Sequence, residues 1–334
     1  MSVLRLGTRG SRLATAQSSG VARALEAHHP GLSVELVEIR TSGDRIQDVP
    51  LGPHLGQAFF TREIQDALIE GRVDLAVHSC KDLATVLPPG TRLAAIPARE
   101  DVRDALVSAR GGLDHLPAGA RVGTSSPRRR GFLLAARPDV VGVDLRGNVP
   151  TRVAAVEEGR MDATVLAMAG LRRLGLEGCV TEALDPEVML PAAAQGALAL
   201  EVRADDARAL DLVAVLDDAD ARAEVTAERA CLRRLEAGCQ APVGALARVR
   251  SGEVWLRAAV VGPEGPVRVE CRGPASRSDA LGEQAARELL ARLGLATLRD
   301  VPWAGAPPAG SGAGGAPPAG SAPGGSPPAE PGPA

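Results

Sequence analysis

Three times in this chain a short apolar run ends in small or hydroxylated residues and passes at once into a helix-period segment that opens with arginine. The three places are Thr8-Arg9-Gly10-Ser11-Arg12, Gly123-Thr124-Ser125-Ser126-Pro127-Arg128-Arg129-Arg130 and Leu145-Arg146-Gly147-Asn148-Val149-Pro150-Thr151-Arg152. Strands that turn directly into helices constrain the chain to an α/β fold. The arginines run against helix electrostatics: a helix start presents unpaired N–H groups and the positive end of the macrodipole, so each cation there costs about a few tenths of a kcal/mol or more. An anion offsets that cost. Free N–H groups, hydroxyls and planar guanidinium forks together make a bidentate receptor for carboxylate or phosphate. A charge run is ordinarily a solvated helix face, but three such clusters beside Gly, Ser and Thr favour an anion site.

The alternation continues along the chain. Strands are expected at Val3 to Thr8, Ser33 to Ile39 and Asp74 to Ser79, with helices from Ser11 to about Ala27 and from Thr61 to Glu70. A second block repeats the rhythm, with strands near Ala105 to Ser108, Arg121 to Gly123, Val140 to Leu145 and Ala163 to Ala167. Ser126-Pro127 reads as an N-cap and first helical residue, and Thr151 as the cap of the next helix. Beyond Gln195-Gly196 come a strand at Ala197 to Val202 and helices over Asp205 to Leu216 and Asp220 to Ala237, the last ending at the C′ glycine Gly238. Three strand-like runs (Val243 to Val249, Val254 to Val261, Val267 to Cys271) and a helix at Ser278 to Leu293 form a small α+β block. From Ala304 onward the chain is almost wholly Ala, Pro, Gly and Ser, a composition that buries too little apolar area to order, so a disordered tail is expected.

Composition narrows the function. The net charge is −3, so the arginine clusters are local and not part of a generally basic surface. Tyrosine does not occur and the aromatics are Phe59, Phe60, Phe132, Trp255 and Trp303, too few for the stacking platforms of single-strand nucleic-acid binders. Five scattered cysteines (Cys80, Cys179, Cys231, Cys239, Cys271) form no CxxC pair, which argues for reduced thiols over a disulfide framework or a zinc site. Met1 to Gly10 has no basic stretch followed by an apolar run, so a cytoplasmic location is expected.

Two segments outside the arginine clusters carry candidate chemistry. VHSCKD (Val77 to Asp82) ends a buried strand, where ligands bind in open α/β sheets, and offers Asp82 as general acid/base. Capping of a turn before Leu83 is the competing reading of Asp82; Lys81 reads as a solvated charge and His78 as a hydrogen-bonded core group. Cys239, in EAGCQAPVG, follows a helix end in a loop bounded by Gly and Pro, either as a small buried hydrophobe or as a reactive thiol.

GTRGS, VHSCKD, REDVRD, GTSSPRR, LRGNVPTR, AGLRRLG, PAAAQGALALE and TAERACLRRLEAGCQAPVG occur in the order and spacing of the porphobilinogen deaminase (hydroxymethylbilane synthase) family, which the chain resembles from Leu4 to about Val301. The resemblance implies two α/β lobes like those of type II periplasmic binding proteins plus a small α+β C-terminal domain. Residues 1–98 with 197–217 would form the first lobe, 99–196 the second and 218–303 the third domain, with the tail from 304 to 334 outside. It implies a transferase of porphyrin and haem biosynthesis, monomeric, which joins four porphobilinogen molecules head to tail with loss of ammonia and releases linear hydroxymethylbilane by hydrolysis. Its cofactor would be a dipyrromethane held through a thioether on Cys239 and contacted by Ser79, Lys81, Thr124, Ser125, Arg128, Arg129, Arg146 and Gly147. Substrate binding would fall to Arg9, Ser11, Phe60, Arg152, Arg173 and Gln195, and catalysis to Asp82, which would stabilise the azafulvene cation left when ammonia departs. Pyrrole acetates and propionates explain a need for clustered arginine.

The chain departs from this pattern in LGPHLGQAF, where Pro53 and Gln57 stand in place of family lysines, and at Cys80 and Pro127, which replace bulkier residues. Two other readings have distinct consequences. A two-lobed binding protein for a small polyanion would leave a third domain with a loop cysteine unexplained, and a nucleic-acid regulator would bind DNA with a steep salt dependence.

Overall fold

The computed structural model describes residues 2–41, 61–237 and 241–299. Phe60, Gly238, Cys239, the loop with Pro53 and Gln57, and the Ala/Pro/Gly/Ser tail lie outside them. The first described elements are β1 (Ser2–Thr8), α1 (Arg12–His28), β2 (Leu32–Glu38), α2 (Arg62–Ile69), β3 (Leu75–Ser79) and β4 (Thr91–Ala95). Then come β5 (Asp104–Ser108), β6 (Arg121–Gly123), α3 (Pro127–Ala136), β7 (Val141–Val143), α4 (Val149–Glu157), β8 (Ala163–Ala167), α5 (Met168–Arg173) and β9 (Glu182–Ala183). The chain continues through β10 (Leu198–Arg203), α6 (Ala207–Ala214), α7 (Ala219–Leu235), β11 (Val243–Arg250), β12 (Glu253–Gly262), β13 (Gly265–Pro274) and α8 (Ser278–Leu293).

Two five-stranded sheets have the same wiring. In the first, the order β2-β1-β3-β10-β4 places β1 parallel to both neighbours and inserts the returning β10 antiparallel between β3 and β4. In the second, the order β7-β6-β8-β5-β9 repeats this, with the incoming β5 in the place of β10. This is the order of type II periplasmic-binding lobes, as the resemblance implied. β11, β12 and β13 form an antiparallel meander. Helices α7 and α8 cover one face of it, with Ala227, Cys231 and Leu235 meeting Leu281, Ala285 and Leu289 in a common core. The other face contributes Leu246, Ala259 and Val261 to the core of the second lobe, beside Phe132 and Leu190. Gly282 is what lets the two helices close: a Cβ there would sit 2.1 Å from the Ala227 carbonyl oxygen.

All three arginine-bearing junctions are helix starts, and none has an acidic residue in its first turn. Ser126 caps α3 as the sequence suggests, and Ser11, expected as the first residue of the helix, is the N-cap of α1; each accepts an N–H from three residues on. For α4 the cap is Asn148, whose side chain accepts from Thr151 N, so the expectation of Thr151 as cap is corrected. Thr151 lies inside the helix because Val149 and Pro150 already form its first turn. α7 ends at Leu235, followed by Glu236 in the left-handed region (φ 52°); the expected C′ glycine Gly238 lies outside the described residues. β4, β9 and α5 were not anticipated, and the strand expected over Val140 to Leu145 narrows to Val141–Val143.

The chain crosses between the lobes twice, before β5 and before β10, and both crossings are tied to α7. Glu228 is fully buried and accepts four hydrogen bonds: from Arg99 Nη1 (2.7 Å) and Nη2 (2.9 Å) on the outgoing crossing, Ala194 N (2.5 Å) on the return, and Ala247 N (2.7 Å) in β11. Arg99 Nη1 also donates to Glu224 (3.1 Å). The two crossings press together at Gly196, where φ is +89° and a Cβ would meet the Glu100 carbonyl oxygen at 2.4 Å. Removing one member of a buried ion pair strands the other, so Glu228→Gln should lower the free energy of unfolding by about 3 kcal/mol in urea titration.

Candidate active site

β3 delivers its residues to the junction between the lobes. Leu75, Ala76 and Val77 are buried core, and His78, expected as a hydrogen-bonded core group, is buried with its Nε2 at ion-pair distance (3.0 Å) from Glu201 Oε2. Ser79, on the opposite face, accepts from Gln17 Nε2 (2.9 Å). The strand ends in a 3-10 turn, Cys80–Asp82, fastened by Cys80 N donating to Ala197 O (3.0 Å) of the return crossing. The turn leaves Asp82 exposed and Lys81 half-buried. Lys81 is therefore not the solvated charge the sequence suggests. Burial brings its pKa down to about 8, with the nearby Arg129 and Arg128 acting the same way against Asp82 and Asp104. These neighbours place the end of β3 in one lobe beside the start of α3 in the other.

The paired arginines of α3 have an internal counter-ion that sequence reasoning missed. Asp104, the last residue of REDVRD, is fully buried and lies 2.7 Å from Arg128 Nη1 and 2.8 Å from Arg129 Nη2. Arg128 Nη1 also donates to Leu190 O (2.7 Å), so this guanidinium is bound within the protein. Despite its burial, Asp104 is held far below the usual carboxylate range by the two guanidinium groups. Gln195, expected among the substrate contacts, is fully buried and supports the same carboxylate: its Nε2 donates to Asp104 Oδ1 (3.1 Å) and Val102 O (2.8 Å). Thr124 and Ser125 shape the loop, since Thr124 Oγ1 accepts from Ser126 N (3.2 Å) and Ser125 Oγ donates to Leu145 O (2.8 Å). Asp104 in REDVRD was the available signal, but its arginine partners lie 24 and 25 residues away.

Further cations complete the wall. Arg152 Nε donates to Gly147 O (2.8 Å), and Gly147 itself has φ +107°. Burial, with Arg129 and Arg146 nearby and Asp144 opposing, lowers the pKa of Arg152 to about 10. Arg146 Nε stands 3.7 Å from Asp144. Arg173 Nη2 donates to Gly196 O (2.7 Å), and burial lowers its pKa against the pull of Glu100. On the first lobe Arg9 and Ser11 are half-buried, and Leu13, just inside α1, comes within 3.8 Å of the Cβ position at Gly170 in α5. The site is thus an interlobe cleft in which one buried carboxylate is shared by two arginines, while Lys81 and Arg152 release their protons more readily than free side chains. Such cations lack sufficient negative charge around them, and a bound polycarboxylate supplies it.

The model for "porphobilinogen deaminase, dipyromethane cofactor binding domain" matches residues 4–211, and that for "porphobilinogen deaminase, C-terminal domain" matches residues 222–291. The chain belongs to the porphobilinogen deaminase family. A porphobilinogen deaminase of Roseiflexus sp. (strain RS-1) is 51% identical over 297 residues, which is 88% of this chain and 98% of that protein. One from Syntrophotalea carbinolica is 50% identical over 294 residues, 87% of this chain and 93% of its own length. Membership carries the activity of a transferase in tetrapyrrole biosynthesis, hydroxymethylbilane synthase, with dipyrromethane as cofactor.

The lowered pKa of Lys81 means that the folded chain holds this proton more weakly than the unfolded one. The resulting cost to stability is fully present below about pH 8 and fades as pH rises towards 10.5, the ordinary value of a lysine side chain. An anion bound beside Lys81 would depend on the same proton. Competitive inhibition by citrate should weaken about five- to tenfold between roughly pH 7 and 9 and stay flat over that range in Lys81→Met, as measured by inhibition kinetics.

Proposed function

We propose that Asp82 is the catalytic group of hydroxymethylbilane synthesis in this chain, and that Cys239 is the attachment point of the dipyrromethane. The observation that carries the first assignment is the placement of an exposed carboxylate, on a turn fastened to the return crossing, at the edge of a cation-rich interlobe cleft. Bound dipyrromethane supplies the free pyrrole carbon to which the substrate is joined. The cation-rich wall suits its carboxylates: Lys81, Arg129, Arg146 and Arg152 are the side chains that would hold them, with Arg128 supporting Arg129 through Asp104. Arg9, Ser11 and Arg173 would take the carboxylates of incoming porphobilinogen. Asp82 accepts a hydrogen bond from the pyrrole N–H of the substrate and stabilises the positive charge that develops as ammonia leaves, a role that requires a carboxylate.

The other cysteines give the attachment site its contrast. Burial pushes the thiol of Cys231 up to about 12 and likewise raises Cys80, Cys179 and Cys271, so none of these favours a thiolate. The division into lobes at 1–98 with 197–217 and 99–196, and a third domain over 218–303, is part of the same reading. So are a cytoplasmic, monomeric enzyme and the exclusion of nucleic acid as partner, supported by a net charge of −3 and five aromatic residues. No helix among the described residues is long and apolar enough to cross a membrane.

Asp82→Asn should keep the fold and the attached primer yet lose about two to three orders of magnitude in turnover, since an amide carries no negative charge. Product formation above roughly a tenth of the parent rate would overturn the assignment. Cys239→Ser should lack any pyrrole adduct by intact mass while Cys231→Ser retains it, because a neutral hydroxyl is a far poorer nucleophile than a thiolate.

A further inference from the structure

Arg229 is a buried guanidinium on α7, in the C-terminal domain, and it reaches across to the first lobe. Its Nη1 donates to Leu83 O (3.0 Å) and approaches Cys80 O (3.5 Å), while Nη2 donates to Ala84 O (2.6 Å). Those three carbonyls bracket Lys81 and Asp82. One planar fork therefore grips both ends of the turn that presents Asp82. Among the described residues its hydrogen-bond partners are all carbonyl oxygens, an arrangement that fixes direction.

We propose that Arg229 is a positioning residue for the elongation chemistry: its fork holds the Asp82 turn of the first lobe against α7. The inference rests on the assignment of Asp82 made above. A misplacement of about 1 Å between a catalytic group and its substrate can cost on the order of a hundredfold in rate, whereas the carboxylate contacts that hold the substrate lie elsewhere in the cleft. Loss of the fork should therefore appear in kcat and not in KM.

The test uses the purified holoenzyme of the parent, Arg229→Met, Arg229→Lys, Asp82→Asn and the Arg229→Met/Asp82→Asn double variant. Intact mass establishes that the primer is attached, and single-turnover addition of porphobilinogen, followed by mass over minutes to hours, gives the chemical rate. Arg229→Met should retain the adduct, keep KM within about twofold and slow addition about 10- to 100-fold. Arg229→Lys should recover part of the rate, since an ammonium reaches one or two of the three carbonyls without the fork's fixed geometry. In the Asp82→Asn background Arg229→Met should add little further loss, because both changes disable the same group.

A parent-like rate in Arg229→Met beside a slow Asp82→Asn would overturn the positioning role alone. A parent-like rate in Asp82→Asn would instead overturn the assignment on which it rests. Additive losses in the double variant, or a rise in KM that accounts for the whole effect, would also overturn it. Should Arg229→Met fail to fold, Arg229→Lys decides: an intact adduct with addition slowed about three- to tenfold at unchanged KM supports the role, and a parent-like rate removes it.

Discussion

The carboxylate of Glu228 is where the two lobe crossings and the C-terminal sheet meet. It accepts from the Arg99 guanidinium on the way out, from Ala194 N on the way back and from Ala247 N in β11, so a single ionised group satisfies donors on three separate segments of the chain. An ion pair buried this deeply earns little net stability compared with well-packed apolar residues. What it contributes is direction. The forked contact between Arg99 and Glu228 fixes the crossing relative to α7 in a way that interdigitated leucines would not. Ala194 at φ +60° and Gly196 at φ +89° are the local consequence: the return strand bends sharply to bring its N–H groups and carbonyls to this point.

From that clamp the cleft follows. Holding the crossings together brings the C-terminal end of β3 opposite the N-terminal end of α3, which is where open α/β sheets present their ligands. The electrostatics of the two sides then differ in kind. Arg128 and Arg129 are anchored by Asp104, itself steadied by Gln195, so that part of the wall is preorganised before any ligand arrives. Among the described residues Lys81, Arg152 and Arg173 form no ion pair with a buried acid, and burial lowers the pKa of each.

The sequence made the helix starts legible because they depend on neighbours a few residues apart. Ser126-Pro127 could be read as a cap because serine accepts from the N–H three positions on and proline fits the first turn. At the third junction Asn148 and Thr151 are both competent caps, and local chemistry alone did not choose between them. Long-range partners were hidden for a different reason. Asp104, Glu224 and Glu228 look like ordinary surface acids in a linear reading, and only the fold brings them to Arg128, Arg99 and Arg248. Lys81 failed as a solvated charge for the same cause, since its burial depends on the lobe opposite. The short strand β4 was missed after Pro88-Pro89-Gly90, where turn residues mask the start of the pairing with β10.

Residues 228 and 229 stand next to each other on α7, and their side chains serve different halves of the molecule. Glu228 takes hold of the crossings between the lobes, while Arg229 takes hold of the turn that carries Asp82. Because helical neighbours project about 100° apart, one turn of a rigid element can address two surfaces without any motion between them. On the assignment proposed above, the catalytic group needs a fixed frame. α7 supplies one: it packs against α8 through Gly282 and against the β11–β13 meander, and its polar contacts go to the lobe crossings and the turn that carries Asp82.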